Sequence, residues 1–530
     1  MTGPDGEDYS ARLIFLELQF IPDKAADGVW PYILRKSWLH VACISDGISH
    51  VFLTIYFNHS RMRLQKNQNV IPAMVRRHVE DTAFYWSQND VSDRSPRLHL
   101  SDLNRFNATL QAHLDGIEVA GVGAWPIAMA MLERWKKPGE AFACAYVAFT
   151  TGEAAELEAL VAKVQARPDE LLRGVISALA WVPNHIARNV IERWTEHDSR
   201  PVTVVAALRA FSLISSQITS SVSSANGDTW IRMPLHEFLT SSDAHVRAAA
   251  CRVAANYDDD EDIKERLKDA LKDPDFSVRA QAAIAVARLA KRGAYRSRPS
   301  EQINEGLTIQ STETLWQSIV SQVAVLNQAT GWYANQAKRR LNRWVEHLAW
   351  MVTPGSSQIS EILRVMPARS ALRFVAYHGD TEHLGFVTQR MADPRTARYA
   401  GWVWQVITGV DLVAFGLIME EPSSADSALK AVPIDDDFGL PLPNSAVVSD
   451  YHITHYPRQR CLNGNVVTLR SMLDIMESGS QAVRSIASQH LQSLDPDFFV
   501  SVRAPAAIQI KTIDQLQELM HLEGLHEPNT

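Results

Sequence analysis

The feature that most constrains this chain is a turn followed by a helix rich in small residues, which recurs along the sequence. Six segments overlay: KPGEAFACAYVAF from Lys137, RPDELLRGVISALA from Arg167, RPVTVVAALRAFS from Arg200, SSDAHVRAAACRVA from Ser241, DPDFSVRAQAAIAVA from Asp273 and DPRTARYAGWVW from Asp393. Their second residues are Pro138, Pro168, Pro201, Ser242, Pro274 and Pro394, so the successive steps are 30, 33, 41, 32 and 120 residues. A step of roughly thirty to forty residues holds two helices and their turns, the unit of a stacked helical repeat. Proline suits the first helical turn, where its missing N–H would have no partner anyway. Six residues after each of these positions stand Cys144, Gly174, Ala207, Ala248, Ala280 and Ala400, all small. Small residues at one helical position let neighbouring helices approach, which predicts a packing seam. The expected fold is all-α: an α-solenoid of helix pairs with a small C-terminal cap.

The irregular steps mark the organisation. Residues 216–229 (SQITSSVSSANGDT) read as a polar loop that lengthens one step to 41. Residues 291–311 read as a second loop, a long helix is expected over 331–352, and about two further units fit before Pro394. The repeat domain is assigned to residues 67–418. Residues 419–450 carry four prolines, seven acids and one lysine, the composition of an exposed acidic linker. Residues 451–530 form the cap, with a short hairpin at Asn463-Gly464 and helices over 469–478 and 481–494. Residues 1–66 show no sustained period and read as an N-terminal extension. A clear amphipathic pattern begins only after Met62, which leaves two readings: Met62 is the biological start and residues 1–61 are not native, or residues 1–61 are a genuine small N-terminal domain.

With 46% hydrophobic and 21% charged residues, the chain has the material for a continuous core. A net charge of −8 and a pI near 6.1 argue against a protein that mainly coats nucleic acid or an anionic membrane. Cys43, Cys144, Cys251 and Cys461 form no CxxC pair, which suits a reducing compartment, and Cys144 and Cys251 read as small apolar core residues. The most apolar stretch, residues 38–57, is interrupted by His40, Asp46 and His50, so no membrane span is expected, and no secretory signal is visible. The expected location is the cytoplasm.

Motifs that carry chemistry are weak. His452 and His455 are two histidines without the further ligands that a metal site needs. Asp435, Asp436 and Asp437 read as a solvated charge run, and the acids at 258–262 as favourable charges at a helix start. GVGAW at residues 121–125 lacks the third glycine and the preceding strand of a dinucleotide fingerprint, and neither a phosphate loop nor a nucleophile elbow occurs. No catalytic, cofactor-binding or metal residue is assigned, and no cofactor is expected. Two basic clusters stand out: Arg288, Lys291, Arg292, Arg296 and Arg298, then Lys338, Arg339, Arg340 and Arg343 beside Trp332, Tyr333 and Trp344. Trp402 and Trp404 lie two apart and so point to different sides of a helix. Arg288, Arg292, Arg339, Arg340, Arg343, Trp402 and Trp404 are the candidate partner-binding residues.

SVRAQAAIAVARLA after Asp273-Pro274 resembles the second helix of a HEAT repeat, in which a turn aspartate and an arginine six residues later tie successive units together. Asp273 and Arg279 match both places, whereas Ser241 and Arg167 stand where Arg247 and Arg173 would have their aspartate, so the ladder is expected to be incomplete. NVIPAMVRRHVEDTAFYW, LQAHLDGIEVAGVGAW, PGEAFACAYVAF, LLRGVISALAWVP, VITGVDL and VRAPAAIQ, in this order, resemble an uncharacterised bacterial HEAT-like repeat family whose members are often associated with type VI secretion effector loci. The resemblance begins near Met62 and supplies no catalytic residues. It implies a cytoplasmic, non-catalytic scaffold, adaptor or chaperone for a protein partner, such as a secretion effector or spike component. Its rival is a nucleic-acid-binding HEAT-like protein of the DNA glycosylase type, to which the acidic total gives little support. A cofactor or bilin lyase, an activity of some HEAT-like proteins, finds no residue here.

Overall fold

Proline at the first helical position opens α1 (Pro72–Ser92), α4 (Pro138–Thr151), α6 (Pro168–Trp181) and α8 (Pro201–Ser215). Between them lie α2 (Leu100–Ala120), α3 (Trp125–Trp135), α5 (Ala154–Ala166) and α7 (Asn184–Trp194). At Ser242 and Pro274 the helix starts slightly later, because the next residue caps it. The Asp243 carboxylate accepts from the backbone N–H of His245 (2.7 Å) and Val246 (3.2 Å), and Asp275 accepts from Ser277 (2.7 Å) and Val278 (3.2 Å). The helices that follow are α10 (Ala244–Ala254) and α12 (Phe276–Arg296), with α9 (Leu235–Leu239) and α11 (Glu261–Ala270) as their outer partners. The chain continues through α13 (Glu301–Gln328), α14 (Gly331–Met351), α15 (Gln358–Val365), α16 (Ala368–His378), α17 (Leu384–Arg390), α18 (Ala397–Thr408) and α19 (Ser445–Asp450). It ends in the antiparallel pair β1 (Cys461–Leu462) and β2 (Asn465–Val466), then α20 (Leu469–Ser478), α21 (Gln481–Leu494) and α22 (Ala506–Leu522).

This computed structural model describes residues 70–522 except 198, 216–229, 258–259, 297–300, 420–436, 438 and 497, without the side chains of 293–305 and 522. The proposed start at Met62, residues 1–66, the insert 216–229, Arg298, Asp258, Asp435, Asp436 and most of the acidic linker lie outside the described residues, as does the Arg296 side chain.

The described residues form an all-α solenoid. Helices α4, α6, α8, α10 and α12 pack each on the next, and α5, α7, α9 and α11 stand behind them. The middle of α4, from Ala141 to Phe149, is buried on every side, as suits a helix enclosed by α1, α3 and α6. The small-residue seam is real at Cys144, Gly174, Ala207, Ala280 and Ala400, all buried. It is tightest at Gly174, where a Cβ would stand 2.1 Å from the carbonyl oxygen of Pro138 and 2.7 Å from the backbone nitrogen of Phe142. Ala248 departs from the pattern: it is half-buried and lines a cavity instead.

Residues 291–311 correct the loop expectation. Helix α12 runs on to Arg296 and α13 begins at Glu301, so the polar run EQINEGLTIQS is the first part of a long helix that packs along α12. Apart from Gly306 its residues tolerate a helix, and polarity alone does not break one.

The C-terminal region does more than cover the last repeat. Backbone N–H groups of Cys461, Asn463 and Gly464 donate to the carbonyls of Gly379 (2.7 Å), Val406 (2.6 Å) and Ile407 (3.1 Å), stitching the hairpin to the ends of α16 and α18. Arg460 donates to the carbonyls of Ala349 (2.9 Å), Trp350 (3.2 Å) and Val352 (2.5 Å) and to His378 (2.8 Å), satisfying the C-terminal groups of α14 and α16. The chain then returns to the first described helices. Gln481 and Ala482 donate to the carbonyls of Leu98 (2.7 Å) and Ser95 (3.0 Å), Ala506 donates to the Asn107 side chain at 2.8 Å, and Arg503 pairs with Asp93 at 2.9 Å. Leu100 and Leu103 of α2 accordingly belong to the same apolar cluster as α21 and α22. The superhelix is closed into a ring.

Candidate functional site

Closure leaves a cavity of about 760 Å³ on the inner side. Its wall is built from the inner helices α1, α6, α8, α10, α12 and α14, and α21 with residues 499–503 completes it. Ten arginines and five carboxylates line it.

Four of the five carboxylates are already engaged. Asp90 accepts from the Arg173 Nε at 2.8 and 2.7 Å, Asp93 is held by Arg503, and Glu346 accepts from Arg373 at 2.8 Å. Asp243 caps α10, and Asp169 is exposed in the first turn of α6. Burial works to raise the Asp93 carboxyl, but Arg503, Arg94 and Arg173 outweigh it, so the group lies below the ordinary carboxylate range.

Four arginines at the centre have no such partner. Arg209 comes from α8, Arg252 from α10, Arg288 from α12 and Arg343 from α14. Arg252 Nε donates to the Gln281 Oε1 at 2.9 Å, and Arg343 donates to the same oxygen, so one neutral amide on α12 gathers two guanidiniums. The Nε atoms of Arg209 and Arg288 are buried without an acceptor in the protein. Burial first, and neighbouring guanidiniums second, disfavour the charge: Arg209 and Arg288 are pushed down to about 10 and Arg343 to about 9, with Arg252 well below its ordinary value. Glu346 is the nearby acid that works the other way on Arg343. Even so, all four remain cations at neutral pH. His347 sits among Arg288, Arg343 and Arg252; desolvation and these three charges keep its imidazole neutral, and its Nδ1 accepts from the Trp350 indole at 3.2 Å.

Of the sequence candidates, Arg288, Arg339, Arg340 and Arg343 come together on this wall, Arg340 exposed and donating to the Ser277 hydroxyl at 3.3 Å. Arg292 instead borders a small side pocket with Lys291 and Trp350, and donates to the Ala255 carbonyl at 3.4 Å. Trp402 and Trp404 are elsewhere: Trp402 is half-buried and stacked on Tyr399, and Trp404 is 2% exposed, edge-on to Tyr451. Arg209, Arg252 and Gln281 were not anticipated. The available signal was a lone arginine inside an apolar run, in VVAALRAFSL and AAACRVAA, where a charge without a core partner must face something polar.

The weak motifs take ordinary places. His452 and His455 are exposed, and among the described residues no group of three or more His, Cys, Asp or Glu could hold a metal ion. Asp437 corrects the solvated reading of its run: it is buried, and both its oxygens accept from Arg369 at 2.5 Å. Burial pushes the Cys251 thiol, on the cavity wall, up to about 12, which keeps it protonated and unreactive. GVGAW forms the short turn between α2 and α3, with Gly121 at φ 54°.

Among the described residues no helix is long and apolar enough to cross a membrane. No curated protein and no solved structure matches the chain. A family model described as HEAT repeats matches residues 233–297, the stretch from α9 to α12 that carries Arg252, Gln281 and Arg288. The chain is similar to HEAT-repeat proteins over those residues, and its architecture is that of a HEAT-like α-solenoid.

Proposed function

We propose that the protein is a non-catalytic scaffold that holds a protein partner along its helical repeats. The observation that supports this reading is the unbroken stack from α4 to α12, part of which is similar to HEAT repeats, a class that presents extended surfaces for binding. Arg339 and Arg340, at the more exposed edge of the cavity, are the contacts assigned to the partner, together with Trp402 as the more accessible tryptophan of its pair. The family resemblance points to a type VI secretion effector or spike component in the cytoplasm as that partner. Co-purification from the native host under gentle lysis tests this: a stoichiometric protein partner is expected, and recovery of the bare chain overturns it. Arg339→Glu with Arg340→Glu should lower partner recovery about tenfold, the effect of losing one or two charge-assisted contacts.

One observation favours a second reading. Arg288, Arg339, Arg340 and Arg343 share one cavity wall, which is what a nucleic-acid-binding protein of the DNA glycosylase type would use. The closed wall suits it less well than an open basic groove would. A mobility assay decides: salt-sensitive binding to duplex DNA supports this second reading, and no binding at low salt removes it.

A further inference from the structure

The geometry points to the floor of the inner cavity, formed by Arg209, Arg252, Arg288, Arg343 and Gln281, as a binding site for a small, freely diffusing polyphosphorylated molecule. Four guanidiniums from four successive inner helices converge there without a carboxylate of their own. A cluster of this kind is costly by itself, because like charges repel more strongly where water is partly excluded. The protein offsets little of the cost internally: Asp90, Asp93 and Glu346 are bound by Arg173, Arg503 and Arg373, Asp243 caps α10, Asp169 sits exposed in the first turn of α6, and Gln281 is neutral. Two of the four also keep an Nε donor without an acceptor. A ligand that completes the site must therefore bring several negative charges and several acceptor oxygens within a short distance.

Phosphate groups meet that demand better than carboxylates. Each offers two or three non-bridging oxygens that match the planar fork of a guanidinium, and the charge of two or three linked phosphates matches the number of central cations. The cavity of about 760 Å³ lies in the range of small-molecule sites, roughly 300–1,000 Å³, and it is walled on the far side by α21 and residues 499–503. Apolar wall residues, among them Leu172, Ile176, Val205 and Ile284, leave room for a non-phosphate portion of the ligand. The helix spacing is consistent with one shared site: Gln281 and Arg288 lie seven apart on α12, and Arg340, Arg343 and His347 lie three and four apart on α14, each set on one face.

The site is tested on the full chain by calorimetric titration with sodium tripolyphosphate at constant ionic strength, with thermal unfolding in parallel. One-to-one binding and a raised Tm are expected, with no rise from potassium chloride at matched ionic strength. Arg209→Gln and Arg343→Gln should each weaken binding about tenfold to a hundredfold, the range that one charge-assisted hydrogen bond supplies. Arg339→Gln, at the edge, should weaken it far less. Without ligand, the Arg343→Gln protein should unfold at no lower temperature than the wild type, because the substitution relieves repulsion; a merely structural arginine would lower it. Absent binding, a Tm rise equalled by potassium chloride, or undiminished affinity in both central variants would overturn the proposal. Tighter binding of a short single-stranded oligonucleotide than of tripolyphosphate would overturn it too, by assigning the arginines to a polymer. None of these readouts needs a protein partner, so failure here leaves the scaffold reading standing, and the converse holds.

Discussion

His490 is buried with both ring nitrogens unpartnered, His378 is buried beside the Thr353 backbone, and His347 is buried against three arginines. Desolvation first, and the nearby cations second, hold all three imidazoles below their ordinary value of 6.5, His490 down to about 3. Above pH 6.5 the folded and unfolded chains are both neutral at these positions and the stability is fully present. Between about 6.5 and 3 the unfolded chain takes up protons that the folded chain refuses, so stability falls as the pH falls. Urea midpoints at pH 7.5 and 5.0 check this: the wild type should lose more on acidification than His490→Leu, and equal losses would exclude His490 as a source. At this scale the sequence was legible where basic residues are adjacent, as in Lys338 to Arg343, and illegible where a single arginine stands in an apolar helix. Arg209 and Arg252 become a site only because α8 and α10 are turned to the same inner face as α12 and α14, and no local pattern contains that rotation.

The helices themselves were easier to read. Pro138, Pro168 and Pro201 each occupy the first position of a helix, and the residue six further on is buried against the preceding unit. Gly174 carries this logic furthest, since the atoms nearest to an added Cβ are backbone atoms of α4, which cannot swing aside. Gly174→Ala should therefore destabilise the fold by about 1–3 kcal/mol, in spite of the higher helix propensity of alanine, as overpacking of a tight core does. Chemical denaturation measures it, and an unchanged midpoint would show that α4 and α6 separate freely. Between units, Arg247 donates to both oxygens of Asp273 at 2.7 and 2.9 Å, and its other nitrogen reaches the Ser241 carbonyl at 2.8 Å. Arg279 repeats the second contact with the Asp273 carbonyl at 2.7 Å. Arg173 instead turns to Asp90 on α1, which is why the ladder seen in the sequence stops short. The helix at 301–311 is illegible for a different reason: its polar composition reads like a break, and its partner, α12, is known only from the tertiary packing.

At the scale of the molecule, a contiguous repeat register predicts stacking of each unit on the next, and says nothing about the two ends meeting. Their contact depends on how much each unit rotates relative to its neighbour, which accumulates over the whole array. Arg503 and Asp93 are 410 residues apart and still form an ion pair in the wall of the cavity. Arg503→Ala should remove protection from amide exchange in α1, α2 and α22 together while leaving α10 and α12 unchanged. Loss confined to α22 alone would mean that the first helices are held by α4 and not by closure. The same closure fixes the size of the array. An open solenoid can gain or lose a repeat during evolution and still fold, because only one interface changes, but here a unit inserted between α4 and α12 would carry Asp93 away from Arg503 and leave both ends exposed. Variation in this lineage is thus expected in the turns that face outward, with the number of repeats held constant, and an engineer who wishes to extend the array must first redesign the seam.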